Sequence, residues 1–388
     1  MRRVCVVTGA RAEYGLLRWV IEGIDKSKML ELRLVATGMH LSPEFGETIR
    51  DIEADGFKVD RKVEMLLSSD TKVGVTKSVG LGLIGFADAF HEIMPELIVL
   101  LGDRFEIMSA ATAAVFAGVP IVHLHGGETT QGAFDEAIRH SITKMSHIHC
   151  VATDNYRHRV VQLGESPERV LTVGGLGLDN IQRLALLSRV ELEAALEFQM
   201  LSRNLLITFH PETLNTTASG LQVACLIEAL GELEDTGLLF TMPNADTDGR
   251  EIIRQITKFC SQNDHAKAFT SLGQLKYLSL MKHCDGVVGN SSSGLIEAPS
   301  FKKGTLNIGD RQLGREAAKS VIHCEPTYEA ISSGLKKLWS SEFQDLLMHV
   351  ENPYGNGGAS ELVVNALETT PLDGILKKKF YDIDFNIK

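Results

Sequence analysis

Residues 96–127, ELIVLLGDRFEIMSAATAAVFAGVPIVHLHGG, place two short aliphatic runs on either side of an alanine-rich stretch. Each run is only a few residues long, lacks polar alternation and stops at glycine beside charged or imidazole groups. That is the pattern of a strand buried on both faces of a parallel sheet. The small residues between them, about Ala110 to Ala117, suit a crossover helix. Strand, helix and strand in this order make a parallel βαβ unit. Asp103 and Arg104 then emerge together from a buried strand end, where no core reason exists for either.

The same rhythm extends in both directions. Upstream lie RVCVVTG with a helix from about Tyr14, and ELRLVATG with a helix near Pro43 to Asp55. Downstream, VPIVHLHGG is followed by a helix over Glu136 to Met145 and by HIHCVATD. The series restarts after about Arg203 with NLLITFHP, GLLFTMPNAD, AKAFTSLG, CDGVVGNSSSG and KGTLNIGDR. RVLTVGGLGLDN and a helical stretch rich in Leu, Glu and Arg lie between the two series and read as the connector. The segment from Gly358 holds one helix, ASELVVNALE, and a basic tail, LKKKFYD. The expected fold is α/β, with two Rossmann-like doubly wound domains facing each other across a cleft, and 388 residues suit two domains. Ligands of such sheets bind beyond the carboxyl ends of the strands.

A hydrophobic content of 44% and a charged content of 23% are those of a soluble globular chain. With a net charge of −11, no global positive field exists to draw nucleic acid or an anionic membrane. The apolar run after the N-terminal basic pair is too short for a signal-peptide core, and no apolar span of about 18 residues is expected anywhere in the chain. Six scattered cysteines without a C-x-x-C pair fit the reducing cytoplasm. Gly80, Gly82 and Gly85 spell G-x-G-x-x-G, but they sit inside a helical pattern ahead of a strand. The spelling therefore reads as close helix packing, because a dinucleotide fingerprint must follow a strand.

Polar residues cluster at the strand ends. Gly9 allows a tight turn in TGARAEYG, and Arg11 at a helix start makes a ready anion site. TGMH places His40 at the second strand end, and FHPET places His210 at one in the second series. In GVVGNSSSGLIE, Asn290, Ser291, Ser292 and Ser293 are expected to cap a helix, with Glu297 one turn or more into it accepting from ribose hydroxyls. NIGDRQLGR adds Arg311 and Arg315. Cations and hydroxyl-rich turns in an acidic chain point to a nucleoside diphosphate, and the absence of a P-loop motif excludes a P-loop nucleotidase.

Residues 123–140, HLHGGETTQGAFDEAIRH, concentrate titratable groups. Strand alternation puts His123 and His125 on one face, which permits zinc with His140 as a third ligand. Neither H-E-x-x-H nor a cysteine ligand accompanies them, and Asp103, Arg104 and Arg139 fit substrate chemistry better, so a metal-free acid/base site is the expectation. Gly126 and Gly127 are expected to let the backbone approach a sugar. His147 and His149 read as ordinary strand residues, and Arg139 with His140 as a structural tie between helix and strand.

These motifs, in this order from about residue 3 to 325, resemble the hydrolysing UDP-N-acetylglucosamine 2-epimerases of sialic acid biosynthesis. The resemblance is strongest to the bacterial branch, which includes enzymes acting on UDP-2,4-diacetamido sugars in legionaminic acid synthesis. It implies a GT-B-like architecture with an N-terminal domain over 1–178 and a UDP-binding domain over 179–365. The C-terminal helix and tail, 366–388, would pack back on the first domain. It also implies a reaction without metal or cofactor on a UDP-sugar, and a homodimer or homotetramer. UDP leaves C1 as the C2 proton is removed, and water adds to the resulting 2-acetamidoglycal to release N-acetylmannosamine. Asp103 and Asp135 match the family's catalytic carboxylates, and His40 and His210 its active-site histidines. Arg11, Ser291, Ser292, Glu297 and Arg311 match UDP-binding positions, with Arg104 and Asn290 beside them. The animal enzymes carry Glu where this chain has His125, so the acid or base there is His125, Glu128 or Asp103. A non-hydrolysing epimerase, a GT-B glycosyltransferase and a catalytically dead nucleotide-sugar sensor are the other readings.

Overall fold

Aliphatic runs buried on both faces form two all-parallel sheets in the computed structural model, which describes residues 1–67, 71–129, 135–211, 219–243 and 249–384. Met1–Glu128, Phe134–Asp179 and Gly357–Lys388 belong to one compact unit, and Asn180–Asn356 form the body of a second. The α/β class read from the sequence is the class observed.

The first unit holds β1 (Arg2–Thr8), β2 (Leu30–Thr37), β3 (Arg61–Val63), β4 (Leu97–Leu101), β5 (Ile121–Leu124), β6 (Ile148–Val151) and β7 (Val170–Thr172). They lie in the order β3-β2-β1-β4-β5-β6-β7. Its helices are α1 (Arg11–Lys26), α2 (Ile49–Ala54), α3 (Lys72–Ile93), α4 (Phe105–Ala117), α5 (Asp135–Met145) and α6 (Asp154–Gln162). α7 (Gly177–Arg183) spans the boundary between the units. Two edge strands depart from the sequence reading. β3 has only three residues, and RVLTVGG, taken as connector, supplies β7. Both are too short and too exposed to carry a periodic signal.

The second unit holds α8 (Arg189–Leu196), β8 (Arg203–Thr208), α9 (Ser219–Gly231), β9 (Thr236–Thr241), α10 (Gly249–Ser261), β10 (Ala266–Phe269) and α11 (Gly273–His283). It continues with β11 (Gly286–Gly289), α12 (Ser293–Ile296), β12 (Gly304–Ile308), β13 (Val321–Cys324), α13 (Tyr328–Leu338) and α14 (Ser341–Met348). Its strand order is β10-β9-β8-β11-β12-β13. α8 starts in a capping box, Ser188 with Glu191, and buries Leu192 and Leu196 in this unit's core. Thus the stretch read as connector is divided between the two units.

The G-x-G-x-x-G spelling lies inside α3, as expected. A Cβ on Gly82 would sit 2.8 Å from the Met65 methyl and 3.0 Å from Ser109 Oγ, and one on Gly85 would sit 2.7 Å from Val63 Cγ1. One correction concerns this helix. By length and composition α3 is apolar enough to cross a membrane, because few charges interrupt its 22 residues. Phe86, Ala89, Phe90 and Ile93 nevertheless pack it into the first unit's core.

The last helix, α15 (Ala359–Thr369), packs on α1 of the first unit, with Val364 against Gly23. Buried Asp179 accepts from the N–H groups of Gly358 (2.6 Å), Ala359 (3.0 Å) and Ser360 (2.7 Å). Three orphan donors of the helix start are thereby satisfied by one carboxylate.

Candidate active site

In the first sheet β1 is flanked by β2 and β4, so the topological switch lies at β1 and β4. Their carboxyl ends, with those of β2 and β5, deliver nearly every titratable group picked out in the N-terminal half. α1 begins at Arg11, whose Nε pairs with Asp51 at 3.2 Å in an exposed setting. Glu13, in the same first turn, accepts from the Gly9 N–H at 2.7 Å and so fixes that turn. Arg104 donates to buried Glu106 at 2.9 and 3.2 Å and lies 4.0 Å from Glu13. Burial, with Glu106 adding to it and against the pull of Arg104, pushes the Glu13 carboxyl up to about 7. Gly38 is required here: its φ is +58, and a Cβ would sit 2.9 Å from a Glu106 oxygen. His40 is fully buried, with Nε2 on Thr8 Oγ1 at 3.0 Å and Nδ1 on Thr48 Oγ1 at 2.8 Å. Burial brings it down to about 4, so the ring is neutral.

The centre of the constellation is Arg139, on the second turn of α5 and buried. It donates to Asp103 and, at 3.1 Å, to Glu128, whose other oxygen meets His125 Nδ1 at 2.7 Å. One guanidinium thus joins the ends of β4 and β5. Asp135 opens α5, and its carboxyl is pushed up to about 6, first by burial and then by Asp103. A carboxyl held near 6 is suited to moving a proton near neutrality.

Three parts of the 123–140 reading change. β5 ends at Leu124, and His125 is left-handed with φ 62, so strand alternation does not reach it. His123 instead turns inward, with Nε2 on the Gly102 carbonyl at 2.8 Å and Nδ1 on Thr143 Oγ1 at 3.1 Å. His140 pairs with Glu136 at 3.1 Å, which parts the three histidines, and Arg139 ties α5 to Asp103 and Glu128. Among the described residues no three His, Cys, Asp or Glu side chains gather into a metal-holding group. Gly126 and Gly127 serve the interior. A Cβ on Gly127 would overlap the Tyr156 carbonyl, and one on Gly126 would press on His123 at 3.0 Å. Residues 130–134 of this segment, and Glu212 and Thr213 of FHPET, lie outside the described residues.

In the second sheet the switch falls at β8 and β11. Gly289 ends β11 with φ +128, and a Cβ there would overlap the Thr208 carbonyl, so Asn290 is delivered against the end of β8. Asn290 Oδ1 accepts from the His210 N–H at 2.7 Å, and its Nδ2 donates to the His210 carbonyl at 2.9 Å. Arg311 (3.0 Å) and Gln312 (2.8 Å) both donate to the Asn290 carbonyl. The strand ends carrying His210, Asn290 and Arg311 are therefore stitched together. Burial, with Arg311 nearby, brings His210 down to about 3. The serine cap comes from one residue earlier than the N-cap: Ser292, at the N-cap of a four-residue helix, makes no capping hydrogen bond with its side chain, and Ser291 Oγ accepts from the Ser293 N–H at 3.4 Å. Glu297 ends that helix rather than lying within it. Tyr277, a half-buried residue whose hydroxyl is itself buried and pushed up to about 12 by burial, lies near Ser291, Ser293 and Glu297 and was not anticipated. Glu13 and Glu106 are likewise absent from the sequence expectation, which does place Arg139 beside Asp103 and Arg104.

A family profile described as UDP-N-acetylglucosamine 2-epimerase matches residues 22–368. The GDP/UDP-N,N'-diacetylbacillosamine 2-epimerase (hydrolyzing) of Campylobacter jejuni is 42% identical, covering 98% of this chain and 99% of that protein. The polysialic acid biosynthesis protein P7 of Escherichia coli is 37% identical, covering 99% and 98%. Among solved structures, a UDP-GlcNAc 2-epimerase from Neisseria meningitidis bound to UDP-GlcNAc superposes with a TM-score of 0.81 at 18% identity. That superposition covers 95% of this chain and all of the other, and it bears on the fold alone.

Proposed function

The chain belongs to the UDP-N-acetylglucosamine 2-epimerase family, and from that premise we propose that it is a hydrolysing 2-epimerase of a UDP-linked 2-acetamido sugar. UDP-N-acetylglucosamine and water give N-acetylmannosamine and UDP. A second substrate, UDP-2,4-diacetamido-2,4,6-trideoxyglucose, is favoured by the activity in the name of the 42% identical relative. The observation that carries the proposal is the Arg139 clamp, which sets two carboxylates at fixed strand ends while Asp135 is held near 6.

The C2–H bond is poorly acidic, so elimination needs a placed base and a stabilised leaving group. We assign proton removal at C2 to the group of Asp103, Asp135 and the His125–Glu128 pair. The C1–O bond breaks with its electron pair leaving on UDP. Water then gives its oxygen to C1 while C2 takes a proton back. Arg11 and Arg104 are assigned to the diphosphate. The second unit's Asn290, Ser291, Ser292, Glu297 and Arg311 are assigned to UDP. His40 and His210, both neutral, hold their loops and donate or accept without carrying charge.

Six unpaired cysteines support a cytoplasmic setting, and a homodimer or homotetramer is part of the same proposal. The test is a panel of both UDP-sugars in EDTA, with UDP and free sugar followed by NMR. Product retained on UDP would make the enzyme non-hydrolysing, and turnover only with an acceptor would make it a glycosyltransferase. Failure to release UDP from either sugar would overturn the proposal.

A further inference from the structure

Helix α5 opens with Asp135 and carries Arg139, yet its far end is held by a segment more than two hundred residues away in sequence. Lys378 Nζ donates to the carbonyls of Lys144 (2.5 Å) and Ser146 (2.7 Å) and to Glu165 Oε1 (3.0 Å). The last carbonyls of a helix lack intrahelical partners, and an ammonium there also meets the negative end of the helix dipole. Glu165 is 1% exposed and is shared: it also accepts from Lys144 Nζ at 2.6 Å and bonds His149 Nε2 at 3.0 Å. The tail is itself seated. The Tyr381 N–H donates to the Gly164 carbonyl at 2.9 Å. The Phe380 ring lies where a Gly164 Cβ would stand, with Lys144 Nζ 4.9 Å from the ring centre.

Two paths lead from this cluster to the candidate site. Through α5, Lys144 and Arg139 share one rigid helix, and Arg139 holds Asp103 and Glu128. Through the sheet, His149 on β6 is in register with His123 on β5, and His123 holds the Gly102 carbonyl, one residue before Asp103.

We infer that the C-terminal tail is a positioning strap for the first unit's acid/base group, with Lys378 as its positioning residue. Lys378 closes the end of α5 and balances Glu165, so that Arg139 and Asp103 stay in register. The inference rests on the proposed function for its kinetic consequence, and its structural consequence is measured without turnover.

The test compares Lys378→Met, which keeps the stem and removes the charge, with Lys378→Arg, which restores donors. Phe380→Ala is a milder second variant, should Lys378→Met fail to fold. With whichever UDP-sugar is turned over, Lys378→Met should lower kcat about 10- to 100-fold with KM little changed. Lys378→Arg should recover most of the loss, and Phe380→Ala should fall in between. Hydrogen exchange of residues 135–146 should speed up in Lys378→Met, while β8 and β11 keep their protection as a folding control. Wild-type kcat in Lys378→Met, an equal loss in the Met and Arg variants, or unchanged exchange in α5 would each overturn the strap. A wild-type protein inert to every sugar, with faster α5 exchange in Lys378→Met, would sink the proposed function and uphold the strap.

Discussion

Both sheets deliver their polar residues at the same topological point, yet the two ends differ in kind. The first unit gathers Glu13, Asp103, Arg104, Glu106, Glu128, Asp135 and Arg139, most of them partly or wholly buried. The second offers an amide, hydroxyls, one neutral histidine and Arg311, joined through backbone groups. Burying charge costs free energy unless partners compensate, and a fold retains such a cluster where protons must move. Neutral donors around a stitched loop are enough to hold a ligand. Under the proposed function, the contrast assigns chemistry to the first unit and holding to the second.

The sharpest way to break that division is Asp103→Asn. Turnover should fall about 100- to 10,000-fold, while UDP affinity by calorimetry stays near wild type. An active Asp103→Asn variant would remove the residue from the chemistry. Next comes Arg139→Leu, which strands Asp103 and Glu128 as carboxylates without their shared cation. Denaturant unfolding of the first unit should lose about 3–5 kcal/mol, and an unchanged midpoint would show that the clamp carries no stability.

Gly289→Ala probes the other side. Its Cβ would overlap the Thr208 carbonyl, and the strained backbone should cost roughly 1–3 kcal/mol. UDP should bind about tenfold more weakly, whereas turnover at saturating substrate changes less. Lost turnover with intact UDP binding would reverse the assignment of the two units.

The smallest effect is in pH. The folded Asp135 carboxyl, near 6, lies above its unfolded value of 3.8, so protonation favours the native state. That stabilisation is complete below about pH 4 and is lost as pH rises through about 6. Melting temperatures of wild type relative to Asp135→Asn should therefore drop across this window and then level. If Asp135 is the base, kcat rises over the same window, and a flat profile would move the proton to His125–Glu128 or Asp103.

The central strands were legible because buried parallel strands read as uninterrupted aliphatic runs, and in the first unit a glycine close to a charged residue or histidine marks where β1, β2, β4 and β5 stop. The edge strands β3, β7 and β13 were not, since three or four half-exposed residues give no period. Asp103, Asp135 and His210 were legible from position and resemblance. Glu13 and Glu106 were missed because only the fold shows that Arg104 lies between two buried carboxylates. His125 was misplaced by alternation, which assumes a strand one residue longer than the one that forms. Arg139 was legible both as a group fitting substrate chemistry and as a structural tie, but its two carboxylate partners lie 36 and 11 positions away, beyond any local pattern.

Asp179 and the helix start it caps have a consequence for synthesis. The second unit is an insertion between Asp179 and Gly357, so the first unit is made in two instalments. Until the ribosome has passed α15, the groove on α1 beside Gly23 lacks its cover, and Asp179 has none of its three backbone donors. The second unit can complete its core while the first still waits. The nascent chain therefore finishes first the part assigned to holding UDP, and finishes last the part assigned to the chemistry.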